Sequence, residues 1–194
     1  MKIAQSLSLI LRSKAYLSFK AKILLYRSLI ESHLSYGVSI WGGASKKYLD
    51  KIVSLQKKAI RVVLGAPYNC HTLPLFGKLK ILQFDDLYKC SLIKVGNRIA
   101  RPLHNTPKGF LECFKIQPTT TTRSNISTNL VIPFCKLENL KKLCSHQVPY
   151  LYNSLNHIQL DTPDISIVEI FKATCYTTYE EFECLRKKCY SCRK

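Results

Sequence analysis

Three groups of residues in this chain have the types and spacing to do chemistry. Asp85 and Asp86 are adjacent carboxylates behind Phe84, a pairing that can hold divalent metal ions. Cys184, Cys189 and Cys192, with Cys175 or His157 as a distant fourth, carry groups that bind zinc. Lys47, Lys51, Lys58 and Arg61, with Ser54 between them, form a cationic row suited to an anion. Each group also has a plain structural reading. The two aspartates fall in the first turn of an expected helix, where negative charge offsets the macrodipole. The x4, x2 cysteine spacing fits no standard finger and a tail this short buries a site poorly, so unpaired thiols are expected and no cofactor is assigned. Cys70-His71 is a lone pair in a turn, without the positioned base that a thiol nucleophile needs. No phosphate-cradling glycine loop or Ser/His/Asp signature occurs.

The cationic row is the group with a well-defined support. Ser45 is suited to an N-cap, Gly65 to a left-handed C′ position, and Pro67 to stopping a helix. Between them Leu49, Ile52, Val53, Gln56, Ile60, Val63 and Leu64 recur on one face at helical spacing. The lysines and Arg61 recur on the other. A solvated surface is the ordinary reading of such a row. Glutamates four residues before the lysines would support it, and none is present. Asp50 is the only acid from Gly37 to Pro67.

The remaining elements arrange themselves around that helix. Lys2 to Ser13 reads as an amphipathic helix with Ile3, Leu7, Ile10 and Leu11 on one side. A second helix, capped by Ser18, runs to Ser35 with Phe19, Ile23, Tyr26, Ile30 and Leu34 inward. Trp41-Gly42-Gly43 is expected as a tight connection whose glycines take unusual dihedrals, with Trp41 plugging the core between helices two and three. Tyr68 to Pro74 reads as a turn-rich link, followed by a helix near Asp85 to Ala100. Leu137 to Leu143 is expected to be helical, Pro149 to Leu155 to pack back onto helices, and Ile165 onward to form one more. The expected fold is mainly α: a small helical bundle over 1–101, an irregular Pro/Thr-rich linker over 102–128, and a small helical extension over 129–194 ending in a basic, cysteine-rich tail.

Charge narrows the partners. The 194 residues carry a net charge of +18. Residues 1–66 hold twelve basic residues against Glu31 and Asp50, a net of +10. Such a field concentrates polyanions, nucleic acid first and an anionic membrane second. No stretch is long and apolar enough for a transmembrane span, and the start lacks the cleavage site of a secretory signal. The basic, acid-free first thirty residues are also compatible with a mitochondrial presequence, but the helical pattern runs straight on into the domain. Nine cysteines at irregular spacing point to reduced thiols inside the cell, nuclear or cytoplasmic.

Several residue runs resemble a known family. Leu25-Tyr26, Ser28-Leu29-Ile30, His33-Leu34-Ser35-Tyr36-Gly37, Trp41-Gly42-Gly43-Ala44-Ser45 and Leu55-Gln56-Lys57-Lys58-Ala59-Ile60-Arg61 are similar to the region after the catalytic palm in non-LTR, LINE-type, jockey-like retrotransposon reverse transcriptases. The likeness continues more weakly through Leu79-Lys80-Ile81-Leu82, Thr122-Arg123-Ser124-Asn125, Asn129 to Pro133 and Tyr152-Asn153-Ser154-Leu155. It implies a helical polymerase thumb that holds a template–primer duplex, RNA or DNA. The aligned motif implies Lys57, Lys58 and Arg61 as nucleic-acid contacts, and helix geometry adds Lys47 and Lys51. Gln56 falls on the packed face and is expected to bond backbone. The palm aspartates of this family belong upstream, and Phe84-Asp85-Asp86 lacks the residue that separates aromatic and acidic positions in that turn. The resemblance therefore implies no catalytic residue here, and a fragment that is no enzyme by itself or that acts with a separate palm-bearing chain. The rival readings are a non-functional remnant of a mobile element and a zinc-dependent interaction tail on a helical scaffold.

Overall fold

The computed structural model describes residues 2–100, 112–116, 129–156 and 167–181. They are mainly helical, without a strand among the described residues beyond one isolated antiparallel bridge between Ile116 and Leu130. They divide into two compact units. The first holds residues 2–38, 45–87 and 173–181; the second holds 39–44, 88–100, 112–116, 129–156 and 167–172.

In the first unit, α1 (Lys2–Ser13) buries Ile3, Leu7 and Ile10. Leu11, expected on the same face, stays exposed. α2 (Phe19–Tyr26) starts at Ser18, whose hydroxyl accepts the Ala21 N–H at 3.3 Å. The helix continues through a π turn, Arg27–Glu31, into α3 (Ser32–Ser35). The core residues Tyr26, Ile30 and Leu34 are four apart. Four residues overshoot a full α-helical turn by roughly 40°. The wider π turn absorbs that drift and keeps all three inward. Phe19 is 51% exposed and not part of this face, which corrects the expectation from spacing.

α5 (Lys46–Leu64), which follows a short α4 (Val38–Trp41), packs against α1 and α2. Its inward face carries Gln56, Ala59, Ile60 and Val63. At its end Gly65 takes φ 64°, with the Gly65 N–H on the Val62 carbonyl and the Ala66 N–H on that of Arg61, a Schellman closure. At its start Ser45 has the extended backbone of a cap, but its hydroxyl accepts no helical N–H, so only half of that expectation holds. α6 (Leu73–Leu79) occupies part of the stretch read as a link: Pro74 sits in its first turn, where a missing N–H costs nothing.

One polar group ties this unit together. Gln56 is 1% exposed. Its Nε2 donates to the Leu82 carbonyl at 3.0 Å and the Tyr26 hydroxyl at 3.2 Å, while its Oε1 accepts the Phe84 N–H at 2.9 Å. The backbone partners fix which end of the amide is oxygen. Phe84 opens α7 (Phe84–Ala100), so Gln56 satisfies an N–H that the helix cannot. The neighbouring Gln83 N–H is met by the Tyr179 hydroxyl at 3.1 Å, and that hydroxyl donates to Asp86. Tyr179 lies on α10 (Ile167–Glu180; α8 and α9 belong to the second unit) and packs on Phe76, ring centroids 6.3 Å apart.

The second unit contains most of α7, α8 (Glu138–Lys141), α9 (Cys144–Asn156) and the start of α10. Gly96 lies so close to Tyr152 that a Cβ there would be 2.8 Å from the tyrosine ring. Asn153 grips Leu130 like a strand partner, its Oδ1 accepting the N–H at 2.9 Å and its Nδ2 donating to the carbonyl at 2.8 Å. Trp41 is half-buried, and its segment, 39–44, groups with this unit. The dihedral role expected for Gly42 and Gly43 falls instead to Gly37, at φ 61°. Gly43 is needed for space, since a Cβ would sit 2.3 Å from the Lys142 carbonyl oxygen. Of the 102–128 tract only 112–116 is described; the rest, Arg123 included, lies outside the described residues.

Two outcomes follow from this packing. Gln56→Leu removes the amide that meets the Phe84 N–H and the Leu82 carbonyl, and is expected to lower unfolding stability by about 3 kcal/mol in a urea titration. Burial raises the Tyr26 and Tyr179 hydroxyls above the ordinary value of 10.0, and burial followed by the nearby Cys144 thiol pushes Tyr88 up to about 12. The unfolded chain loses these protons near pH 10 while the fold retains them. Stability is therefore fully present below pH 10 and falls as pH rises towards 12. Tyr88→Phe is expected to make that decline shallower, read by thermal melts against tyrosinate absorbance.

Candidate nucleic-acid interface

The outer face of α5 separates its cations into two kinds. Lys47, Lys51 and Lys58 are exposed and form no ion pair among the described residues. At 3.6 residues per turn they fall within about 40° of one another, spaced roughly 6 and 10 Å along the axis. Asp50 lies about 60° round from Lys47 and pairs with none of them. This is the stripe expected from the sequence, and it stands opposite the face that Gln56, Ile60 and Val63 commit to packing.

Arg61 and Lys57 are placed differently. Arg61 is half-buried, and its Nε and Nη2 both donate to the Cys70 carbonyl, at 3.3 and 3.0 Å. Its guanidinium carbon also lies 5.7 Å from the centroid of the Tyr68 ring. Arg61 thus holds the 66–72 turn against the end of α5, keeping its charge but not its freedom. Lys57, about 100° round from Lys58, is half-buried beside that same turn. The structure therefore gathers the five expected cations on one helix, with three on an open stripe and two at its edge.

Sequence reasoning missed Tyr68. It is 80% exposed on the turn after the helix stop, between two recesses of about 320 and 380 Å³ that both include Arg61. A loop position has no periodicity to reveal it; the available signal was an aromatic placed directly after the Gly65-Ala66-Pro67 stop.

Of the other candidate groups the structure describes only part. Cys184, Cys189, Cys192 and His157 lie outside the described residues, and Cys175 is buried. Among the described residues no cluster of three or more His, Cys, Asp or Glu forms a metal site, and no disulfide joins the described cysteines. Asp85 is exposed in the first turn of α7, and Asp86 accepts the Tyr179 hydroxyl. Among the described residues no helix is long and apolar enough to cross a membrane.

A mainly helical chain with a cationic helix face that is unpaired among the described residues is the class this geometry defines. Its comparisons are more particular. The chain is similar to the RNA-directed DNA polymerase from mobile element jockey of Drosophila melanogaster, 28% identical over 139 residues that cover 70% of this chain and 13% of that protein. It is also similar to the protein of the same description from Drosophila funebris, 30% identical over 77 residues, covering 40% of this chain and 8% of that one. These matches bear out the resemblance to a region of non-LTR, jockey-like reverse transcriptases; the chain spans a small part of the relatives it matches. No protein-family model matches the chain, and no solved structure does.

Arg61→Ala is expected to loosen the 66–72 turn without disturbing the stripe. Amide exchange at Tyr68 to Cys70 should quicken by about tenfold, as the guanidinium's two hydrogen bonds to the Cys70 carbonyl are lost, whereas Lys58→Ala leaves it unchanged.

Proposed function

We propose that this chain is a nucleic-acid-binding segment of a retrotransposon RNA-directed DNA polymerase, corresponding to the thumb and the region after it. In this reading 1–101 forms the thumb-like part, 102–128 a linker and 129–194 an extension. The segment grips a template–primer duplex through its phosphates. Lys47, Lys51 and Lys58 make the principal contacts, and Lys57 and Arg61 extend the field at the edge. The observation that carries the reading is the exposed lysine stripe, unpaired among the described residues, on a helix whose opposite face is locked into a core. The jockey matches supply the polymerase context.

Phosphoryl transfer needs carboxylates that hold metal ions in line with the attacking and leaving oxygens. This reading places them in a palm outside the chain. Asp85 and Asp86 support that division of labour, since a helix start and a tyrosine hydroxyl already account for them.

Binding of this kind is salt-dependent and indifferent to sequence. The triple variant Lys47→Glu, Lys51→Glu, Lys58→Glu is expected to weaken duplex binding and to reduce the slope of log affinity against log salt by about three. An anisotropy titration at several salt concentrations checks this, and an unchanged slope would count against the stripe.

A further inference from the structure

The larger part of the field above is spread along α5, but its C-terminal end is shaped as well as charged. The recess of about 320 Å³ there has apolar walls from Leu7, Leu11 and Val62, with Lys14, Lys58 and Arg61 among its lining. No carboxylate lines either this recess or the one beside it. Tyr68 stands between the two with most of its ring open. Arg61 lies over that ring, its guanidinium carbon 5.7 Å from the centroid, and the same guanidinium is fastened to the Cys70 carbonyl. The turn leading to it is closed by the Gly65 and Ala66 N–H groups on the last helical carbonyls.

These features select a ligand. The volume lies at the small end of the range for small-molecule sites, about 300–1,000 Å³, which suits a single base and sugar and excludes a duplex. A fixed, exposed aromatic beside cations is the arrangement that binds unpaired nucleotides, because every base has a π face and a phosphate attached. An acyl chain would use the apolar walls but gain nothing from the cations beside the ring.

We infer that the recess beside Tyr68 takes one unpaired nucleotide, its base stacked on the Tyr68 ring and its phosphate met by Lys14 and Lys58. The inference rests on the duplex-binding reading and adds a second, separable element to it: the chain distinguishes a duplex carrying a single-stranded extension from a blunt one.

The test uses the full 194-residue chain and two labelled duplexes, one blunt and one bearing a short oligothymidylate overhang. The wild type is expected to bind the overhang duplex about tenfold more tightly. Tyr68→Ala is expected to abolish that preference while leaving blunt-duplex affinity within about twofold, and Tyr68→Phe to retain it. Lys47→Glu with Lys51→Glu is expected to weaken both duplexes alike. No preference in the wild type, or a preference that survives Tyr68→Ala, overturns the recess while leaving the stripe to stand on the lysine variant. Equal loss on both duplexes in Tyr68→Ala overturns it too, since a stacking site for an unpaired base does not act on a blunt end.

Discussion

The side-chain amide of Gln56 sets the geometry on which the first unit depends. It lies in the middle of α5, away from water, and reaches Tyr26 from α2 together with the backbone at Leu82 and Phe84. A buried amide without partners is costly, so its burial is tolerable in one arrangement and poor in any that slides or rotates the helix. Apolar contacts from Ile60 and Val63 supply the drive to pack, but such contacts tolerate small shifts. The amide does not, and it thereby fixes which face of α5 is outward.

That fixed rotation is what turns a list of lysines into a surface. With Gln56, Ala59, Ile60 and Val63 inward, Lys47, Lys51 and Lys58 have no direction left but solvent. Arg61 sits closer to the boundary and reaches a carbonyl, so it serves the turn beyond the helix before it serves a ligand. A planar guanidinium can meet the Cys70 carbonyl and the Tyr68 ring together, and an ammonium is poorly shaped for both. Asp50 is the one acid on this helix and forms no ion pair with the stripe among the described residues, while Asp86 accepts the Tyr179 hydroxyl at the start of α7.

Much of this was legible in residue order. The period of α5, its Gly65 stop and the inward place of Gln56 were readable, because a long amphipathic helix repeats its signal every turn. Short elements do not repeat. α6 was missed because Pro74 and Gly77 look like breakers; the proline sits harmlessly in the first turn, and a Cβ on the glycine would press Glu180 and Tyr179 at 3.2 and 3.3 Å. The four-residue spacing of Tyr26, Ile30 and Leu34 hinted at a widened turn, yet an α-helical reading pulled Phe19 into the same face. The 39–44 segment that carries Trp41 groups with the second unit, and no local pattern encodes that. The roles of Tyr152-Asn153 and Asn129-Leu130 in the resemblance became physical only with the Asn153–Leu130 contacts in view.

The proposed grip on a duplex draws on the similarity to jockey-type polymerases and on the charge and packing of α5. Lysine footprinting joins them most directly. The full chain would be treated with an amine-acetylating reagent, free and bound to duplex, and the modification of each lysine read by mass spectrometry. Strong protection of Lys47, Lys51 and Lys58, with Lys2 and Lys20 still reactive, is the predicted pattern. Protection spread evenly over all lysines, or concentrated away from α5, would contradict the account.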